Sequence, residues 1–164
     1  MIKTNVRPIS SKRSGAVNEA SGRITVIDYT HSGDCLGVKY HTLLEADKLV
    51  KTGLAIGAIK RFQTASGWTL AGIKKFAQIS EGTFSRRKKS GRLSREESGR
   101  LLRLSHVFER AVALHGGDQA GARQWLETPI PALGNQRPLD LTQTEPGARE
   151  VEDLIGRIEQ GIVS

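Results

Sequence analysis

The sequence predicts a mainly α protein: a helical domain containing a helix-turn-helix, followed by a second, smaller helical domain. Three observations carry this. From residue 41 onward the apolar residues recur at three- and four-residue spacing, not in alternation. Glycines at 53, 67 and 91 stand where those runs stop, and Thr69, Ser80, Ser94 and Asp118 stand where new ones begin. Two of the runs are short and meet through only a few residues, which is the spacing of a helix-turn-helix.

Residues 1–40 are read as an N-terminal arm. Its first 22 residues are rich in Ser, Gly, Asn, Lys and Arg and poor in large apolar side chains, so they are expected to be mobile. "RITVIDYT", 23–30, has the composition of a short strand, but no second strand is evident to pair with it. "HSGDCLG" reads as a turn.

The first domain is placed over 41–115. "HTLLEADKLVKTG" sets Leu43, Leu44, Asp47 and Val50 at helical spacing and stops at Gly53. In "LAIGAIKRFQTASG", Leu54, Ala58 and Phe62 share a face and Gly67 ends the helix. "TLAGIKKFAQ", 69–78, starts on Thr69 and buries Leu70, Ile73 and Ala77. "ISEGTFSRRKKSG" starts again at Ser80 and ends at Gly91. "LSREE" is a capping box, with Ser94 as cap and Glu97 reaching back. The long helix after it should bury Leu101, Leu104, Phe108, Ala111 and Val112.

The second domain is placed over 116–164. Asp118 caps a short helix anchored by Trp125 and Leu126. Pro129, Pro131 and Pro138 interrupt the chain before "LDLTQT". Thr144 is a good cap and Pro146 a good first-turn residue for the last helix. Its apolar stripe is Val151, Leu154, Ile155, Ile158 and Ile162. That stripe should pack first on the helix around Trp125.

The net charge is +8 over 164 residues, unevenly spread. Residues 1–40 carry +3, residues 41–115 carry +9 and residues 116–164 carry −4. A basic middle favours a polyanionic partner, and the acidic end suggests a different partner or a contact within the chain. No run approaches the roughly 18 apolar residues that a membrane span requires, so no membrane partner is expected. The first residues lack the apolar segment of a secretory signal, and Cys35 is the single cysteine, so a cytoplasmic location is the default.

Catalytic chemistry is not visible. The histidines at 31, 41, 106 and 115 have no ligand-like spacing to one another or to Cys35, so no metal is called. "GLAIG" lacks the Lys-Ser/Thr that would make it a phosphate loop, and no nucleophile elbow is present. Cys35 has no evident base and reads as a spectator thiol. No cofactor is implied, and the chain is not expected to be an enzyme.

The two short helices carry the nucleic-acid reading. The second helix of such a pair lies in the major groove and its N-terminal residues face base edges. Ser80, Glu81, Thr83 and Ser85 are placed near the bases; Arg86, Arg87, Lys88 and Lys89, with Lys74 and Lys75 from the first helix, supply cations for phosphates. The same cations also suit a solvated helix C-terminus. The usual small residue of the first helix is Lys74 here, and the usual turn glycine is Gln78, which would need a left-handed backbone.

The tail "WLETPIPALGNQRPLDLTQTEPGAREVEDLIGRIEQG" resembles the C-terminal toxin-binding domain of the Xre/MbcA/ParS antitoxins. The matching residues are Trp125-Leu126, Pro129, Ala132-Leu133-Gly134, Pro138-Leu139, Leu141, Thr144-Glu145, Gly147, Val151-Glu152, Leu154-Ile155, Arg157-Ile158-Glu159 and Gly161. "SRRKKSGRLSREESGRLLRL" resembles the central region of the same family, and the likeness spans about 41–163. Leu141-Thr142 departs from a usual Leu-Leu, and Gly134-Asn135 from a common Gly-Gly.

The resemblance implies a type II antitoxin. Its partner would be a RES-domain toxin, a small NAD-acting enzyme whose active-site entrance the antitoxin blocks. With the toxin it would repress its own operon, binding operator DNA, and a homodimer is expected from the two-fold operators such motifs match. The toxin-binding residues would be Thr144, Glu145, Arg149, Glu152, Asp153, Arg157, Glu159 and Gly161. Carboxylates of the tail could pair with cations of an NAD-binding cleft; equally, they could be solvated and leave the contact to apolar and backbone groups. The alternative function is a helix-turn-helix regulator whose acidic tail serves dimerisation or ligand sensing.

Overall fold

The computed structural model describes residues 33–162, so the arm's first residues and the strand expected over 23–30 lie outside it. Among the described residues the regular structure is helical: α1 (Leu43–Thr52), α2 (Gly57–Ser66), α3 (Leu70–Phe76), α4 (Glu81–Ser90), α5 (Arg95–Leu114), α6 (Gln119–Glu127), α7 (Pro138–Leu141) and α8 (Glu145–Glu159). The mainly α class is what the periodicity predicted.

The caps do as their chemistry dictates. The hydroxyls of Thr42, Thr69, Ser80, Ser94 and Thr144 each accept the backbone N–H three residues on, and the Asp118 carboxylate accepts that of Ala120. At Ser94 the capping box is complete, with Glu97 accepting the Ser94 N–H. Gly67 and Gly91 close α2 and α4 in the left-handed conformation.

The 20-residue helix α5 is the wall on which the rest is built. Helices α1 and α2 pack on it, and so do α6 and α8. Phe62 of α2 meets Trp68 and Phe108 of α5 edge to face, with ring centroids 5.7 Å apart, and Trp68 leans on Phe108 at 5.4 Å. The buried Leu101, Leu104, Val107, Leu126, Val151, Leu154 and Ile155 continue the same core without a break. A short 3-10 turn, Asp34–Leu36, is pinned to α5 by Glu109, whose carboxylate accepts the N–H groups of Gly33 (2.8 Å) and Cys35 (2.9 Å). Burial first, and Glu109 second, push the Cys35 thiol far above its usual range, which keeps it protonated.

Four expectations about packing need correction. Leu43 and Leu44 are exposed at 66% and 75%; α1 is held instead by the half-buried Ala46, Leu49 and Val50. Pro138 does not merely interrupt the chain: it opens α7, because a proline needs no N–H partner in the first turn. Ile162 lies beyond the end of α8 and is 57% exposed, so the stripe ends at Ile158. And α8 packs chiefly on α5 and α7, not on the helix of Trp125. Thr142, where Leu is usual, is fully buried, and its hydroxyl satisfies itself by donating to the Pro138 carbonyl at 2.8 Å.

Candidate functional site: a helix-turn-helix and the outer strip of the last helix

The turn between α3 and α4 takes the left-handed backbone expected where the motif usually has glycine: Gln78 has φ 55°. The Ile79 N–H donates to the Lys74 carbonyl at 2.8 Å and the Gln78 N–H to that of Lys75 at 3.1 Å. These are the two bonds of a Schellman ending, and they satisfy carbonyls that α3 would otherwise leave open. Ile73, Phe76, Ala77, Ile79 and Phe84 bury the inner side of the pair. From α5, the Arg100 Nε donates to the Ala77 carbonyl at 2.8 Å and ties the turn to the wall.

The cations named from the sequence fall into two groups. Lys75, Arg86, Lys88 and Lys89 are exposed, as are Ser80 and Ser85, and Thr83 is half-buried. Arg86 donates to the Thr83 hydroxyl at 3.2 Å, and Lys88 stands 4.9 Å over the Phe84 ring. Lys74 and Arg87 are committed inward. Lys74 is buried, with its ammonium on the Glu81 carboxylate and 5.1 Å from the Phe84 ring centroid. Arg87 forms a bidentate pair with the buried Glu97, at 2.8 and 3.2 Å. The Lys74 ammonium and the Nε–Nη2 edge of Arg87 are thus turned to carboxylates of the chain itself. The signal was present in the sequence: a lysine in a small-residue position needs a nearby acid, and Glu81 is seven residues on.

The tail residues also divide. Thr144 is the cap of α8, and its Oγ1 accepts the Gly147 N–H at 3.2 Å. Gly161 ends the helix at φ 71°. Glu152 faces His106 of α5 at 3.1 Å and Glu159 faces Arg110 of α5 at 3.1 Å. These two carboxylates therefore serve the contact between α8 and α5 and do not stand on its opposite face. The outer strip holds Glu145 with Arg149 at 2.8 Å, Arg157 with Glu150 at 3.5 Å, and the exposed Asp153. Glu150 was not among the expected toxin-binding residues; it stands about two turns before Arg157 on the same face.

A cleft between the two regions was also not foreseen. Gln78 of the turn, Arg95, Arg100 and Arg103 of α5, and Gln143 to Glu145 at the start of α8 line it together. Arg103 donates to the Gln143 carbonyl at 3.3 Å across it. The cleft thus brings Gln78, at the turn between α3 and α4, to the same side of α5 as Thr144 and Glu145 at the start of α8. Among the described residues no cluster of His, Cys, Asp or Glu is arranged to hold a metal, and no helix is long and apolar enough to cross a membrane.

Comparison with known proteins bears on both regions. Residues 45–106 match the Antitoxin Xre-like helix-turn-helix domain, and residues 110–161 match the Antitoxin Xre/MbcA/ParS C-terminal toxin-binding domain. The chain is 39% identical over 116 residues to Antitoxin Xre of Yersinia enterocolitica, covering 70% of this chain and 78% of that one. It is 38% identical over 117 residues to Antitoxin Xre of Photorhabdus laumondii, covering 71% and 79%. It is 27% identical over 122 residues to the Prs ADP-ribosylating antitoxin of a Sphingobium species, covering 69% and 77%.

Proposed function

The chain belongs to the Xre family of antitoxins, with a helix-turn-helix domain and a toxin-binding domain, and from that premise we propose that its toxin is a RES-domain enzyme that consumes NAD. The name of the Sphingobium relative couples an antitoxin to ADP-ribosylation, a reaction whose ADP-ribosyl group is taken from NAD. The antitoxin neutralises the enzyme by covering its active-site entrance with the outer strip of α8. The observation that carries this is that strip itself: Asp153 is exposed and is drawn into no ion pair among the described residues, and Glu145 and Glu150 stand exposed beside it. A cleft that binds a dinucleotide must neutralise its phosphates, so its mouth is cationic and attracts such a strip. Glu152 and Glu159 act indirectly, by holding α8 to α5.

The same chain represses its own operon as a homodimer. The exposed Lys75, Arg86, Lys88 and Lys89 bind phosphates while the start of α4 enters the major groove. The experiment is co-expression with the adjacent reading frame, following growth and cellular NAD. The neighbour alone should arrest growth and deplete NAD, and the full chain should reverse both. Asp153→Lys with Glu150→Lys should abolish the rescue while leaving the fold and DNA binding intact. A harmless neighbour, or rescue undiminished by the double variant, overturns the reading.

A further inference from the structure

We propose that Glu81 reads a cytosine in the major groove, with Lys74 as its positioning residue; this rests on the operator-binding reading of α3 and α4. Glu81 is the first residue of α4, the part of a recognition helix that faces base edges. Its side chain is 82% exposed, yet it is not loose: Oε1 is held by the Lys74 ammonium, which is buried behind it. The second carboxylate oxygen, Oε2, makes no hydrogen bond to the described residues and is left for an outside donor.

A bare carboxylate on a surface that meets phosphates is repelled by them. Lys74 cancels that charge without reaching toward the DNA, because its own side chain is buried. The pair is thus a neutral unit that presents one fixed acceptor. Base chemistry then selects the target. Cytosine offers the N4 amino donor in the major groove; adenine pairs its N6 donor with the N7 acceptor, which would oppose a second carboxylate oxygen; guanine and thymine offer acceptors there. The neighbouring hydroxyls are less available. Ser80 donates to Thr83 at 3.0 Å and accepts the Thr83 N–H at 3.2 Å, and Arg86 donates to Thr83 as well. Gly82 follows Glu81, and a Cβ there would stand in open space, so no side chain flanks the carboxylate at this position.

The test is in vitro selection of the full chain against a randomised DNA duplex library, with the wild type, Glu81→Gln and Glu81→Ala. The wild type should select a site with one strongly preferred C·G pair. Glu81→Ala should lose that preference by roughly 5- to 150-fold at that position and keep the rest of the site. Glu81→Gln should shift the same position toward adenine, which a Gln amide matches with both of its groups. Both variants should keep the wild-type circular dichroism. Two results overturn the assignment: an unchanged base preference at every position, or an affinity that falls evenly over all sequences, which is what a purely structural Glu81 would give. A wild type that selects no sequence at all overturns the operator-binding reading, and this assignment with it.

Discussion

At the scale of single residues, glycine shows how position outweighs type. Gly147 and Gly156 both lie in α8. A Cβ at Gly147 would sit 2.2 Å from the Leu141 carbonyl oxygen, because the start of α8 is pressed against the end of α7. A Cβ at Gly156 would meet nothing within 4 Å. Alanine at 156 should therefore stabilise the protein by up to about 1 kcal/mol through helix propensity alone. Alanine at 147 should destabilise it by about 1–3 kcal/mol, since backbone must move. Thermal unfolding of the two variants checks the opposite signs; equal signs would mean that the α7–α8 approach is looser than described. The sequence could not separate these glycines, because what differs is a carbonyl brought in by the preceding turn.

At the scale of elements, starts and stops were legible and side-chain commitments were not. Thr69, Ser80, Ser94, Asp118 and Thr144 cap the helices they were expected to cap, because capping is settled within four residues of chain. The left-handed turn at Gln78 was legible for the same reason. Lys74, Arg87, Glu152 and Glu159 were read as outward because each sits in a polar run; all four are claimed by groups on other elements or on the far side of a turn. Glu97 concentrates this lesson. One buried carboxylate both completes the cap of α5 and holds Arg87 of α4. Glu97→Ala should cost about 2 kcal/mol, the sum of a lost cap and a lost charged hydrogen bond. Glu97→Gln, which keeps an acceptor for the Ser94 N–H, should cost less. Urea midpoints at constant m measure the difference; an equal loss in both would mean that charge alone matters.

At the scale of the whole molecule, the electrical split reads differently once folded. Part of the acidic end faces the basic middle: Glu159 pairs with Arg110, and Glu152 contacts His106. The boundary expected at 115/116 lies at the end of α5, whose buried residues are covered in part by α6 and α8. The fragment 33–115 should show no cooperative thermal transition, because α5 would lose the cover of α6 and α8; the full chain should show one. A cooperative fragment would mean that the first domain folds without the second. The shared helix also governs how such proteins can recombine. A crossover between two homologues at residue 116 would inherit α5 from one parent and its cover from the other, with mismatched side chains along the seam. A crossover near Gly91 would carry α5 to α8 as a matched set, leaving the Arg87–Glu97 clasp, the Arg100–Ala77 tie and the packing of α1, α2 and the 3-10 turn on α5 to be re-fitted. Exchange of partner specificity between lineages is thus expected to move α5 together with the tail, and part of the helical scaffold behind the DNA-reading motif travels with it.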